Sequence, residues 1–390
     1  MAKKKQLNDI TMTSRKNFIR AGAALEAGML ISILSFGADT APPKYKTLYA
    51  IGKETILTSH TFTSKRTITH YWEAGPSNGP LMIFVHGWPE IGLVWRAQME
   101  SFASEGWRCI APDLRGFGDS SVPTAKGAYA IKEIVDDMAE LNTHLGGKAA
   151  IWVGHDWGSV VVGSVAAHYP KISRGVVLIS VPYLPNGWAL PNLLPLVDRT
   201  LYPADKYPDG QWDYWRFYLT HFDQAVSDME ADVPATLASI YTKGAPASVG
   251  KLSLSAVVTT HGGRYGVAHR APATEPDYTL WPKPDFDALV AAFKKTGFRP
   301  CDSYYLNDDA NIAYAKAAVN NGKLNQPVLF VNDEYEPFSN INLSKVGDPM
   351  RKACSNLTVI DQPAGHWVTL ERKEGITETI RSWIKLQGLK

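Results

Sequence analysis

A doubly wound α/β fold, with a mostly parallel sheet and a mainly helical insertion, is the architecture this sequence predicts. Three observations lead there. Short apolar runs without alternation recur between stretches of helical spacing, the pattern of strands buried on both faces of a parallel sheet. That order stops after Pro182 and resumes near residue 323, with a Pro-, Trp- and Tyr-rich segment between. The length, 390 residues, suits a large α/β core carrying an insertion.

Residues 1–45 stand apart, with a basic start, an apolar run over residues 21–38 and then prolines. The stretch SRKNFIR, residues 14–20, resembles a twin-arginine export signal with Lys16 in place of the second arginine. Export or a membrane anchor is favoured over a cytoplasmic location, and any membrane association is confined to this segment. It is set aside from the fold. Next, TFTSKRTITHYWEAG alternates as a half-exposed antiparallel pair of edge strands does. LMIFVHG, RCIAPDL, AAIWVGHD and GVVLISVP read as central strands. Between them, YAIKEIVDDMAELNTHLGG has helical spacing and ends in glycines. Residues 183–322 form the helical cap. QPVLFVNDE and NLTVIDQP resume the sheet, and TLERKEGITETIRSWIKL closes the chain as an amphipathic helix. The domains are therefore 1–45, a core of 46–182 plus 323–390, and a cap of 183–322.

Forty basic residues against 38 acidic ones leave a net charge of +2, and nothing in that balance points to nucleic acid or a polyanionic partner. Of the three cysteines, Cys109 lies in an apolar strand as a small hydrophobe. Cys301 and Cys354 are close enough in number to a pair that export would permit a bridge between them. Neither metal-ligand spacing, a P-loop nor a complete dinucleotide fingerprint is present, so no metal and no cofactor is expected.

The chemistry gathers at VGHDWGSV, residues 153–160. A strand running into Gly-x-nucleophile-x-Gly and then a small-residue helix is the pattern of a nucleophile elbow. Such a bend thrusts its central side chain out at the helix N-terminus, where an anion is favoured. Asp156 occupies that place; helix capping is the ordinary alternative for an aspartate here. Company in the right order favours the nucleophile. The next strand-end acids are Asp333, Glu334 and Glu336 in VNDEYEP, and the next strand-end histidine is His366 in PAGHW. In HGWPE, residues 86–90, the glycine lets the chain turn so that the Trp88 amide can join that of Trp157 as an oxyanion hole.

HGWPE, PDLRGFGDS, GHDWG and AGHW together resemble the epoxide hydrolases of the α/β-hydrolase superfamily, over residues 60–390. The resemblance implies an α/β-hydrolase fold, Asp156 as nucleophile, His366 as base, and Trp88 and Trp157 at the oxyanion hole. It places the orienting acid on Glu336, with Asp333 and Glu334 as fallbacks. It implies two cap tyrosines that hold and protonate the epoxide oxygen. Tyr305, in GFRPCDSYYLND, takes the second position. The first falls near Trp215 or Arg216, with Tyr214 and Tyr218 alongside.

The implied reaction converts an epoxide and water to a vicinal diol, and the aromatic residues of the cap argue for an apolar, moderately bulky epoxide. An ionised carboxylate suits attack on sp³ carbon because it needs no activating base. The resulting ester of Asp156 is then hydrolysed by water that His366 deprotonates, a step in which base catalysis contributes roughly 10²–10⁴-fold. Haloalkane and haloacetate dehalogenases share the aspartate elbow and are the alternative. A Trp–Tyr pair near Trp215 resembles their halide site, but the arginines that follow the nucleophile in the haloacetate type are here Trp157 and Val160. A non-catalytic binding protein of the same fold is the remaining alternative, and it would show a broken set of catalytic positions.

Overall fold

Eight strands order the core in the computed structural model, which describes residues 56–390. They are β1 (Thr58–Thr63), β2 (Ile68–Ala74), β3 (Leu81–Val85), β4 (Arg108–Pro112), β5 (Ala150–His155), β6 (Ser173–Ile179), β7 (Val328–Asp333) and β8 (Leu357–Gln362). Their order across the sheet is β1-β2-β4-β3-β5-β6-β7-β8. The first two pairings are antiparallel, and every later one is parallel. β3, β5 and β7 are buried along their whole length, which is why their sequences lack alternation. Each fully buried aliphatic side chain there contributes roughly 1.5–3 kcal/mol relative to exposure.

Helices α1 (Arg96–Ser104), α2 (Ile131–His144) and α3 (Trp157–His168) alternate with the central strands. The chain between β6 and β7 forms α4 (Leu190–Leu193), α5 (Asp213–Thr220), α6 (Phe222–Glu230), α7 (Val233–Ile240), α8 (Lys283–Thr296), α9 (Arg299–Asp302) and α10 (Asp308–Lys316). Between β7 and β8 lies α11 (Asp348–Ala353), and α12 (Val368–Glu371) and α13 (Lys373–Leu386) finish the fold. One closing helix was expected from the sequence, but the chain breaks at Arg372, whose φ is −128° and ψ 46°. The break follows Glu371, whose carboxylate accepts from the Gly244 and Gly365 amides instead of facing solvent along a continuous helix.

α3 is buried almost all round, so small residues decide how closely it approaches the sheet. A Cβ at Gly158 would lie 2.0 Å from the Val85 carbonyl oxygen, and one at Gly154 2.3 Å from that of Gly158. The motif PDLRGFGDS is a brace. Asp113 accepts from the Gly92 amide at 2.7 Å and meets His70 Nδ1 at 2.8 Å. Arg115 makes a two-pronged pair with Asp137 on α2, at 2.7 and 2.8 Å.

All three cysteines are buried free thiols, so the possible Cys301–Cys354 bridge is not formed; Cys301 Sγ donates instead to the Phe298 carbonyl. The export or anchor reading of residues 1–45 lies outside the described residues. Among the described residues no helix is long and apolar enough to cross a membrane.

Candidate active site

The loops at the carboxyl ends of β3, β5, β6, β7 and β8 bring the predicted residues together, where parallel sheets bind ligands. Asp156 follows β5 with φ 51° and ψ −122°, a backbone state that costs a non-glycine residue on the order of 1–3 kcal/mol. The strain is held in place by packing: a Cβ at Gly87 would lie 2.5 Å from the Asp156 Cβ, so only glycine fits opposite. The Trp88 amide donates to Asp156 Oδ1 at 2.7 Å. The Trp157 amide opens α3, where no intrahelical acceptor exists for it.

The other carboxylate oxygen, Oδ2, stands 3.6 Å from His366 Nε2. On the far side of that ring, Nδ1 lies 2.7 Å from Glu336 Oε2, and among the described residues neither atom has another partner. Burial opposes charge on both Asp156 and His366. The Glu336 carboxylate and then Asp156 outweigh it and hold the imidazole well above its ordinary range. Asp156 is in turn held below the usual carboxylate range by His366, His155 and the Trp88 amide.

Of the fallback acids, Asp333 is buried and bonds to Ser180 Oγ, while its Oδ1 has no partner. Burial pushes its carboxyl well above the usual range, with the neighbouring Glu336 adding to the effect. Glu334 contributes its backbone to the turn, its carbonyl accepting from Asn340 at 2.9 Å.

A second acid–histidine contact lies beneath the first, formed by Glu90 of HGWPE and His155 of GHDWG. His155 Nδ1 is 3.0 Å from Glu90 Oε1, and its Nε2 is 2.7 Å from the His366 carbonyl oxygen. Glu90 also accepts from the Gly87 amide at 2.7 Å. Sequence reasoning quoted both residues and assigned neither. The available signal was their place at the ends of the adjacent strands β3 and β5.

Above Asp156 is a cavity of about 220 Å³ counted to its mouth, lined by Trp157, Val181, Trp188, Trp212, Tyr214, Tyr305 and Phe338. Tyr214 and Tyr305 thus face it together with Asp156. Burial, and the nearby Asp156 carboxylate, push both phenols up, so their protons stay on. Of the residues around the open first cap position, Arg216 pairs with Asp209 at 2.8 Å, and Trp215 sits away from the cavity. It is fully buried, is absent from the cavity wall, and its indole N–H donates to the Tyr305 carbonyl at 2.8 Å. Its neighbour Tyr214 holds the cavity position because the helix turns it, and not Trp215, inward. Tyr218 stacks on the Tyr305 ring with centroids 4.8 Å apart and is likewise absent from the wall.

The chain is similar to known proteins over most of its length. Epoxide hydrolase A of Mycobacterium tuberculosis is 27% identical over 318 residues, covering 80% of this chain and 92% of the relative. Epoxide hydrolase B of the same organism is 29% identical over 326 residues, covering 76% and 88%. The crystal structure of epoxide hydrolase A from Mycobacterium thermoresistibile matches 84% of this chain and 98% of its own, with a TM-score of 0.68 at 24% identity, a likeness of fold. The alpha/beta hydrolase fold family model matches residues 80–373. Since that match spans well over half of the sequence, the chain belongs to the alpha/beta hydrolase fold family.

Proposed function

We propose that this protein is an epoxide hydrolase, converting an apolar epoxide and water to a vicinal diol through an ester on Asp156. The observation that carries the reading is that two phenols, Tyr214 and Tyr305, face the same small cavity as the elbow carboxylate. An opening epoxide needs both an in-line nucleophile and a proton donor for its oxygen, and this cavity offers both. The relatives named epoxide hydrolase support it. In this reading residues 183–322 are the cap, and 46–182 with 323–390 the core.

Asp156 Oδ2 attacks the epoxide carbon, the C–O bond breaks, and the ring oxygen takes a proton from a tyrosine. Oδ1, already held by the Trp88 amide, becomes the ester carbonyl oxygen, so the donor is preorganised for the tetrahedral stage. Alkylation also removes the negative charge of Asp156 that raises the proton affinity of His366. The imidazole therefore loses part of its hold on a proton at the stage where it acts as base, and the proton released balances the one the tyrosine delivered. Water gives its proton to His366 and its hydroxide to Cγ, and the imidazolium protonates the departing alkoxide. Glu336 orients the ring throughout.

One observation favours a second reading. The Trp212 indole N–H lines the cavity without a partner, as a halide site would require. The test is a single turnover of styrene oxide in ¹⁸O-water. The expected diol carries unlabelled oxygen from Asp156, and Asp156→Ala forms none. Direct labelling of the diol in the first turnover, or bromide release from 1-bromobutane with styrene oxide untouched, overturns the proposal.

A further inference from the structure

A second cavity, of about 310 Å³ counted to its mouth, lies beside the first. The two share one wall residue, Trp188. Both lie along α3: Trp157 lines the catalytic cavity, and Val160, one turn on, lines the other. We infer that Trp188 is a specificity-determining partition, which limits this enzyme to compact epoxides by closing the catalytic cavity off from the space behind it. The inference rests on the epoxide reading of the site.

The partition is built from the backbone. Gly187 has φ +96°, a conformation that strains any residue with a Cβ, and a Cβ there would lie 2.9 Å from the Asn311 carbonyl oxygen. The turn is tied by Gly187 N–H to the Leu184 carbonyl at 3.0 Å. Asn192 Nδ2 adds bonds to the Asn186 and Gly187 carbonyls at 2.8 and 2.9 Å. This fixes the point from which the indole projects. The indole is held by packing: it meets Trp212 edge-on at 5.7 Å, and among the described residues its N–H has no hydrogen-bond partner. Removing the ring therefore leaves no buried polar group stranded and opens one cavity into the other. With the ring in place the catalytic cavity is small, about 220 Å³ even when counted to its mouth, and the partition sets that limit. The moderately bulky substrate expected from the aromatic cap gives way to a compact one.

The test measures kcat/KM for 1,2-epoxybutane, styrene oxide and trans-stilbene oxide with wild type, Trp188→Phe and Trp188→Ala. Wild type is expected to prefer the two smaller epoxides over the stilbene oxide at least tenfold. Trp188→Ala should raise the ratio of kcat/KM for stilbene oxide to that for epoxybutane at least tenfold, with Trp188→Phe between. Equal wild-type rates across the series, or no selective gain in Trp188→Ala while both variants melt cooperatively near wild type, overturn the partition. Failure of the activity itself has another signature, in which neither wild type nor variant opens any member of the series. In that case calorimetric binding of the corresponding diols still reads the size limit: hydrobenzoin binding Trp188→Ala but not wild type upholds it, and equal binding to both overturns it.

Discussion

The indole N–H of Trp88 donates to Asp302 Oδ1 at 2.8 Å, joining the turn after β3 to the segment that presents Tyr305 three residues later. In the proposed mechanism this bond links the turn of the amide donor to the segment of the acid. Burial pushes the Asp302 carboxyl up to about 7, against the opposing pull of that N–H.

A pH-dependent stability follows. An acid whose folded pKa is raised binds more protons folded than unfolded, so its folded state loses ground as pH rises from the unfolded value through the folded one. For Asp302 the window runs from about 4 to about 7, and the loss is on the order of 4 kcal/mol. Asp302→Asn keeps the acceptor for Trp88 and does not titrate. Urea unfolding at pH 4.5 and pH 8 should show the variant gaining on wild type by a few kcal/mol between the two. A pH-independent difference would rule out a titrating Asp302.

The paired phenols predict a split between the two chemical steps. Tyr305→Phe or Tyr214→Phe should slow formation of the Asp156 ester by roughly 10²–10³-fold, the scale of losing one preorganised donor, and leave its hydrolysis nearly unchanged. Rapid-quench mass spectrometry of the alkylated protein separates the two rates. An effect confined to ester hydrolysis would remove the tyrosines from ring opening.

Glu336 and Asp333 should behave oppositely. The Glu336 carboxylate is the largest influence raising His366, so Glu336→Gln lowers the histidine's proton affinity. The acid limb of kcat should then move to lower pH while the plateau falls roughly 10–10³-fold, since a less basic, less oriented imidazole activates water more poorly. Burial already disfavours charge on Asp333, so Asp333→Asn should leave that limb in place and cost less than about tenfold. A reversed pattern in the two pH–rate profiles would transfer the orienting role to Asp333.

The central strands and the elbow were legible in the sequence because both rest on local constraints. Buried parallel strands need unbroken apolar runs, and a bend as tight as that at Asp156 needs glycines at 154 and 158. The cap was harder to read. Tyr214 and Trp215 are adjacent on one short helix, and which of them faces the cavity depends on the helix's rotation against Tyr305. No periodicity over eight residues rich in aromatics fixes that rotation. Trp188 was silent for a similar reason, since its role depends on a void between segments far apart in the chain.

The Glu90–His155 contact carries a consequence for how the two halves of the site are tied together. His155 Nε2 meets the His366 carbonyl oxygen, so a ring at the end of β5 anchors the backbone from which the His366 imidazole hangs. Glu90 joins that ring to the Gly87 amide, one residue before the Trp88 amide that donates to Asp156. Both side chains are sealed from solvent, so water does not compete for these bonds. The loops after β3, β5 and β8 thus rest on one buried chain of contacts, and a change at either residue would displace the amide donor and the histidine at once.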